Sequence, residues 1–153
     1  MSPDSFDWEK YVELAEEIYQ KKDTDESECR FRTGISRAYY GVYNMCKNFA
    51  IENNLINEKK LKDSYSSHAD LIDKFIHSHR FDIEYNAELN EIKKDIGEIL
   101  KELRDYRNDA DYQNTYPGTD IIRDLEFAYE SAKEALDSIK NLQEEMVKMR
   151  QCS

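Results

Sequence analysis

A polar, ionisable segment at the end of a predicted helix carries the residue types best suited to chemistry in this chain. It runs from Leu103 to Tyr112 and reads LRDYRNDADY. At about 100° per residue, Arg107 projects within the apolar arc of this helix, formed by Ile92, Ile96, Leu100, Leu103 and Ala110. A guanidinium keeps its proton in such a position. It therefore needs a carboxylate, carbonyl groups, a water-filled cleft or a bound anion.

The sequence allows two interpretations of Arg107. Asp111 stands four residues later, so an internal ion pair, with Arg104 in solvent, accounts for the charge without a ligand. Alternatively, Arg107 faces a water-filled cleft or binds an anion. An ideal helix places Tyr112 about 140° around the axis from Arg107. The two side chains are then expected to meet only if the helix frays near Asp111, or across a dimer.

The rest of the chain predicts the helices that position this segment. The 153 residues include only four Gly and two Pro, too few for the turns of an all-β sandwich. Apolar residues recur at helical spacing over 6–22, 31–50, 71–76, 89–110 and 121–146. In the first of these, Tyr11, Leu14, Ala15 and Ile18 are expected to face the core. We predict an all-α, up-and-down bundle of about five helices, with residues 1–153 in a single domain.

Helix ends and connectors are predicted from capping and breaker residues. Residues 53–66 and 77–86 are polar and predict connectors, and residues 113–118 contain a Pro-Gly break. The run from Ser67 to Asp70 predicts a capping box before the third of the five helices. Thr119 and Asp120 predict the start of the last one. Gly34, Ala38 and Gly41 form a strip that allows another helix or a second protomer to approach closely.

The composition limits partners and cofactors. A formal charge of −11 repels phosphate backbones and anionic membranes at long range, so any nucleic-acid site must be local. We expect a cytoplasmic protein with no membrane contact, because there is neither a long apolar stretch nor a basic-then-apolar leader. Cys29, Cys46 and Cys152 are expected to be free thiols. No metal-ligand spacing or cofactor motif occurs, so no metal and no cofactor is expected.

Three motifs together resemble the HEPN-domain family. They are SRAYYGVY at 36–43, SHADLI at 67–72, and RNDADY at 107–112 after an amphipathic helix. The resemblance spans most of the chain. It implies an up-and-down helical bundle, usually a homodimer, of the kind found in prokaryotic toxin–antitoxin pairs, phage-defence systems and CRISPR effectors. Many members of the family are metal-independent ribonucleases.

The family's signature is Arg, often followed by Asn, then His after four to six residues, and two copies meet in one composite cleft. Arg107 and Asn108 match its start, but Tyr112 stands where the His is expected and no His follows it. Attack by the 2′-hydroxyl of RNA needs a base and an acid, and a His with a pKa near 6.5 serves as both. Tyr, with a pKa near 10, is unsuited to act as a base. Weak or lost cleavage is therefore expected.

The resemblance also places the second of the five helices beside the cleft. Arg37 and Tyr40 become candidates for phosphate contact, together with Arg104 and His68, the latter in the first turn of the third helix. The alternative is purely structural. Tyr40 then packs with its hydroxyl at the rim, Arg37 joins a salt bridge, and His68 is solvated or hydrogen-bonded.

Two hypotheses follow. The first is a HEPN-like homodimer whose cleft binds RNA or another phosphate ligand, and which acts as a metal-independent endoribonuclease in a toxin–antitoxin or phage-defence system; Arg107, Asn108, Asp111 and Tyr112 line that cleft. The second is a non-catalytic helical interaction module or an antitoxin-type partner, in which Tyr112 marks lost chemistry. A small nucleotidyltransferase is the partner that the toxin–antitoxin hypothesis implies.

Overall fold

The computed structural model describes residues 6–24, 27–62, 67–77 and 87–152, and these contain six helices and no strand. The predicted all-α bundle is confirmed. The helices are α1 (Glu9–Gln20), α2 (Glu28–Glu52), α3 (Glu58–Lys62), α4 (Ser67–His77), α5 (Ala87–Tyr112) and α6 (Ile121–Gln151). No helix within these residues has an apolar stretch long enough to cross a membrane.

The second helix, α2, is the centre of the bundle and packs against α1, α5 and α6, while α4 packs mainly against α5 and also contacts α2. Its predicted apolar stripe is fully confirmed, because every member is buried: Phe31, Ile35, Ala38, Val42, Cys46, Phe49 and Ala50. Burial of such a stripe, at about 25 cal/mol per Å² of apolar surface, provides the main stabilisation of a bundle. The free thiols predicted at the three cysteines are also found.

Close helix approach depends on three glycines. A Cβ on Gly34 would lie 2.7 Å from Leu125 Cδ1 of α6, and a Cβ on Gly41 would lie 2.8 Å from Val12 Cγ2 of α1. The predicted strip therefore accommodates neighbouring helices of the same chain. Gly97 of α5 has the same role against α4, a contact that the sequence did not suggest.

Three local predictions are wrong. The 53–66 connector contains α3, because Asn57 Oδ1 accepts from the backbone N–H groups of Lys59 and Lys60 and caps a helical turn. Ser67 lies inside α4 and not at its cap. Leu14 is exposed, since the buried face of α1 is centred on Ala15.

The start of α6 was predicted correctly. Asp120 caps this helix, with Oδ1 accepting from Arg123 N at 3.1 Å. The remainder of the predicted connectors, at 63–66 and 78–86, lies outside the described residues.

Replacement of Gly97 by Ala is expected to destabilise the fold although Ala is the better helix former. The new Cβ would lie 2.9 Å from Phe75 Cβ and 3.2 Å from the Ile76 backbone N, atoms that cannot rotate away. We expect the free energy of unfolding in urea to fall by about 1–3 kcal/mol. Glu98→Ala, at the exposed neighbouring position, is the control and should change it by less than about 0.5 kcal/mol. An unchanged or raised stability of Gly97→Ala would contradict this packing.

Candidate phosphate-binding site

Arg107 lies in the last turns of α5 with its side chain turned into the bundle, as predicted. Only 5% of its surface is exposed. Three tyrosine rings surround the guanidinium, with its carbon Cζ 4.9 Å from the ring centroid of Tyr39, 5.3 Å from Tyr40 and 5.4 Å from Tyr112. Aromatic faces attract a cation when it is desolvated. The rings therefore stabilise the guanidinium, although they carry no countercharge.

The hydrogen bonds of Arg107 go to phenols. Its Nη1 donates to Tyr40 Oη at 3.1 Å and to Tyr112 Oη at 3.0 Å. Its Nε is buried with no partner in the described part of the chain. The Tyr40 and Tyr112 hydroxyls also share a hydrogen bond with each other, which uses the proton of one of them. The site therefore presents one free phenol donor next to a positive charge.

The predicted ion pair between Arg107 and Asp111 is wrong. Asp111 accepts instead from Ser36 Oγ of α2 at 3.0 Å. The i+4 spacing would allow the pair, but α2 places a hydroxyl beside the carboxylate and phenols beside the guanidinium. Across residues 6–24, 27–62, 67–77 and 87–152, no carboxylate forms an ion pair with Arg107.

Tyr112 meets Arg107 within one chain, without fraying of the helix. The expectation that fraying or a dimer is needed is therefore wrong, since α5 stays helical as far as Tyr112. Both side chains are long enough to reach across the angle between their Cα atoms. Tyr112 is nevertheless 68% exposed, so it forms the open edge of the site.

A second layer of aromatic contacts lies behind Arg107. The Tyr39 hydroxyl and His68 Nδ1 share a hydrogen bond of 2.5 Å, and the His68 ring stacks on Tyr43 at 4.1 Å between centroids. Burial, with smaller effects from Arg107, Arg104 and Lys47, lowers the pKa of His68 to about 4. His68 is thus neutral at pH 7, as its hydrogen-bonded alternative implies. Burial also raises the pKa of the Tyr39 phenol, which stays protonated.

The end of α5 is fixed by Arg32, a residue that the sequence analysis missed. Arg32 Nη1 donates to the carbonyl oxygens of Ala110 at 3.3 Å and Gln113 at 2.6 Å. These carbonyls would otherwise lack partners at the helix end. The signal was available, because Arg32, Ser36 and Tyr40 follow one another at four-residue spacing on the face of α2 that meets α5.

Of the remaining predicted site residues, Asn108 and Arg104 lie near Arg107, whereas Arg37 lies elsewhere. Arg37 stacks on Tyr11 of α1, with Cζ 4.8 Å from the ring centroid, and not on the tyrosines around Arg107. Asn108 is half-buried beside Arg107 on α5. Arg104 lines a recess of about 260 Å³ between α4 and α5, together with His77 and Lys101 among others. Within the described residues its buried Nε has no partner, so it adds a second positive group near the site.

Comparisons with protein-family models, with curated proteins and with solved structures find no match to this chain. Among the residues that the structure describes, no group of three or more His, Cys, Asp or Glu side chains is arranged to hold a metal ion.

The lowered pKa of His68 is expected to make stability depend on pH. An unfolded His titrates near 6.5, whereas His68 titrates at about 4 in the fold, so between these values the unfolded chain binds more protons. The stabilisation is complete above pH 6.5 and is lost as pH falls toward 4. His68→Asn keeps an acceptor near the Tyr39 hydroxyl but cannot titrate. The difference in unfolding free energy between the wild type and this variant should therefore shrink from pH 7.5 to pH 5. A difference independent of pH would contradict the neutral, buried His68.

Proposed function

We propose that this chain is a HEPN-like protein that binds RNA or another phosphate ligand through Arg107. The observation that carries the proposal is a guanidinium that is 5% exposed, has an unpartnered buried Nε, and lacks a carboxylate partner in the described residues. An uncompensated buried charge costs several kcal/mol, which a structural role does not return. A bound phosphate supplies the missing negative charge.

Each neighbouring group has a role in this proposal. Arg107 holds a phosphate oxygen through a charge-assisted hydrogen bond, and the phenol proton that the Tyr40–Tyr112 hydrogen bond leaves free is donated to the same phosphate. Arg104 adds a positive charge toward α4. Asn108 is a further amide donor at the rim, and Asp111 is a positioning residue through its bond to Ser36.

Cleavage by this site is proposed to be metal-independent and slow. Attack by a 2′-hydroxyl needs a base with a pKa close to the working pH. His68, the histidine nearest to Arg107 in the described site, has a pKa of about 4 and is a weak base. Burial raises the pKa of Tyr40, Arg107 opposes this, and Tyr112 and Asp111 add to it, so this phenol is protonated at pH 7. Binding is therefore favoured over turnover.

Homodimerisation and membership of a toxin–antitoxin or phage-defence system belong to the same proposal, and they rest on the family resemblance. A nucleotidyltransferase-type antitoxin is the cognate partner that this resemblance implies. The non-catalytic alternative, an interaction module or antitoxin-type partner, is favoured by one observation. The pKa values of Tyr39 and Tyr40, which both contact Arg107, are raised by burial and so lie further from neutrality than that of a free phenol.

The proposal predicts that RNA binding depends on Arg107. Labelled single-stranded and hairpin RNA would be titrated at low salt in EDTA, with cleavage followed on gels. Arg107→Met should weaken binding at least about tenfold, since one charge-assisted hydrogen bond contributes about 1.5–3 kcal/mol. Any slow cleavage by the wild type should disappear in the same variant.

Arg123→Met is the matched control, because it removes the same charge from an exposed position of α6. Its RNA affinity should stay within about twofold of the wild type. Unchanged RNA binding by Arg107→Met would overturn the site. Absence of RNA binding by the wild type would leave the interaction module as the function.

A further inference from the structure

We propose that Tyr112 is a stacking platform for one unpaired base, and that it makes the site select single-stranded over double-stranded RNA. The inference rests on the proposed function, because it assumes that a phosphate of the same strand binds Arg107. It assigns to Tyr112 a specificity role that does not depend on proton transfer.

The first observation is the exposure of Tyr112. It is 68% exposed although it holds the guanidinium of Arg107 through its hydroxyl and lies 5.4 Å from it at the ring centroid. One part of the ring therefore faces the cation, while most of its surface remains open to a ligand. Every nucleobase has an apolar face that stacks on such a ring. A neighbouring guanidinium strengthens the attraction of the whole platform for π-systems.

The second observation is the depth of Arg107 below this ring. Because only 5% of Arg107 is exposed, a phosphate must enter between the tyrosines to contact it. A strand with unpaired bases can turn one phosphate inward and one base onto Tyr112. The phosphates of a duplex are held on a stiff surface, and its bases are paired and stacked on each other. A duplex therefore reaches at most one of the two contacts.

The third observation is the negative charge around the site. Asp105, Asp109 and Asp111 follow Arg104 on the last turns of α5, and the chain carries a formal charge of −11. Neighbouring phosphates of a long backbone are repelled there, since charges within about 8 Å are only partly screened at physiological salt. Few phosphates can contribute to binding, so the base contact has to provide much of the affinity. The negative charge therefore favours binding through one stacked base over binding of many phosphates in a positively charged groove.

The test compares two strands of equal charge on the purified full chain. One is a six-nucleotide oligouridylate, and the other is a six-residue abasic ribose-phosphate strand with the same phosphates. The wild type should bind the oligouridylate about 5- to 150-fold more tightly, the range that about 1–3 kcal/mol of stacking per base corresponds to. It should also bind a 12-base-pair blunt duplex more weakly than the oligouridylate.

Variants separate the ring of Tyr112 from its hydroxyl. Tyr112→Phe keeps the platform and should retain the preference for bases, even though it loses the hydrogen bond from Arg107. Tyr112→Ala should bind both strands equally. Phe127→Ala is the control, because it removes another exposed aromatic ring, on α6, and should leave the preference unchanged.

The outcomes separate a failure of the stacking role of Tyr112 from a failure of the proposed function. Equal binding of both strands by the wild type, or a base preference that survives Tyr112→Ala, overturns the platform while Arg107-dependent binding still supports the proposed function. If the wild type binds the duplex more tightly than the oligouridylate, the selection of single-stranded RNA is overturned. If Arg107→Met binds both strands as well as the wild type, the proposed function fails and the platform fails with it.

Discussion

The buried charge of Arg107, which has no carboxylate partner among the described residues, is the constraint on which the rest of the site depends. Water would stabilise this guanidinium far better than the bundle interior does. The fold compensates in part with three aromatic faces and two phenol oxygens, which attract the cation without neutralising it. A bound anion would stabilise a cation held in this way further. This electrostatic argument links the packing of the bundle to its proposed function.

The second helix, α2, supplies the side chains that position Arg107 and its neighbours. Ser36, Tyr39 and Tyr40 lie three and four residues apart on one face of α2, so they reach Asp111, His68 and Arg107 at the same time. Close packing of α2 against its neighbours requires Gly34 and Gly41, which leave no room for side chains. Arg32 then holds the end of α5 one turn away. The position of the exposed Tyr112 is thus set by residues nearly 80 positions earlier in the chain.

Sequence periodicity predicted the bundle, the apolar stripe of α2 and the inward direction of Arg107, because each depends on spacing within one helix. The partner of Arg107 could not be predicted in the same way. Asp111 was the nearest carboxylate along the helix, but the register of α5 against α2 decided which groups met. The contact between Arg107 and Tyr112 was also not predicted. The angle between their Cα atoms around the helix axis does not take into account that both side chains are long enough to meet. The short α3 was missed because its cap, Asn57, stands in a polar segment without an apolar stripe.

In the proposed function, Arg107 is buried to bind a ligand and is not needed to hold the fold. The most direct measurement is the free energy of unfolding of the wild type and Arg107→Met in urea, without any phosphate ligand. Replacement of a buried ion pair by apolar side chains of similar volume is often neutral or stabilising by about 1–4 kcal/mol, because the desolvation cost is removed. The same reasoning applies to Arg107→Met, since no carboxylate among the described residues would lose its partner. The variant should therefore be at least as stable as the wild type. A loss of about 3 kcal/mol or more would show that Arg107 is a structural residue and would contradict its proposed role in ligand binding.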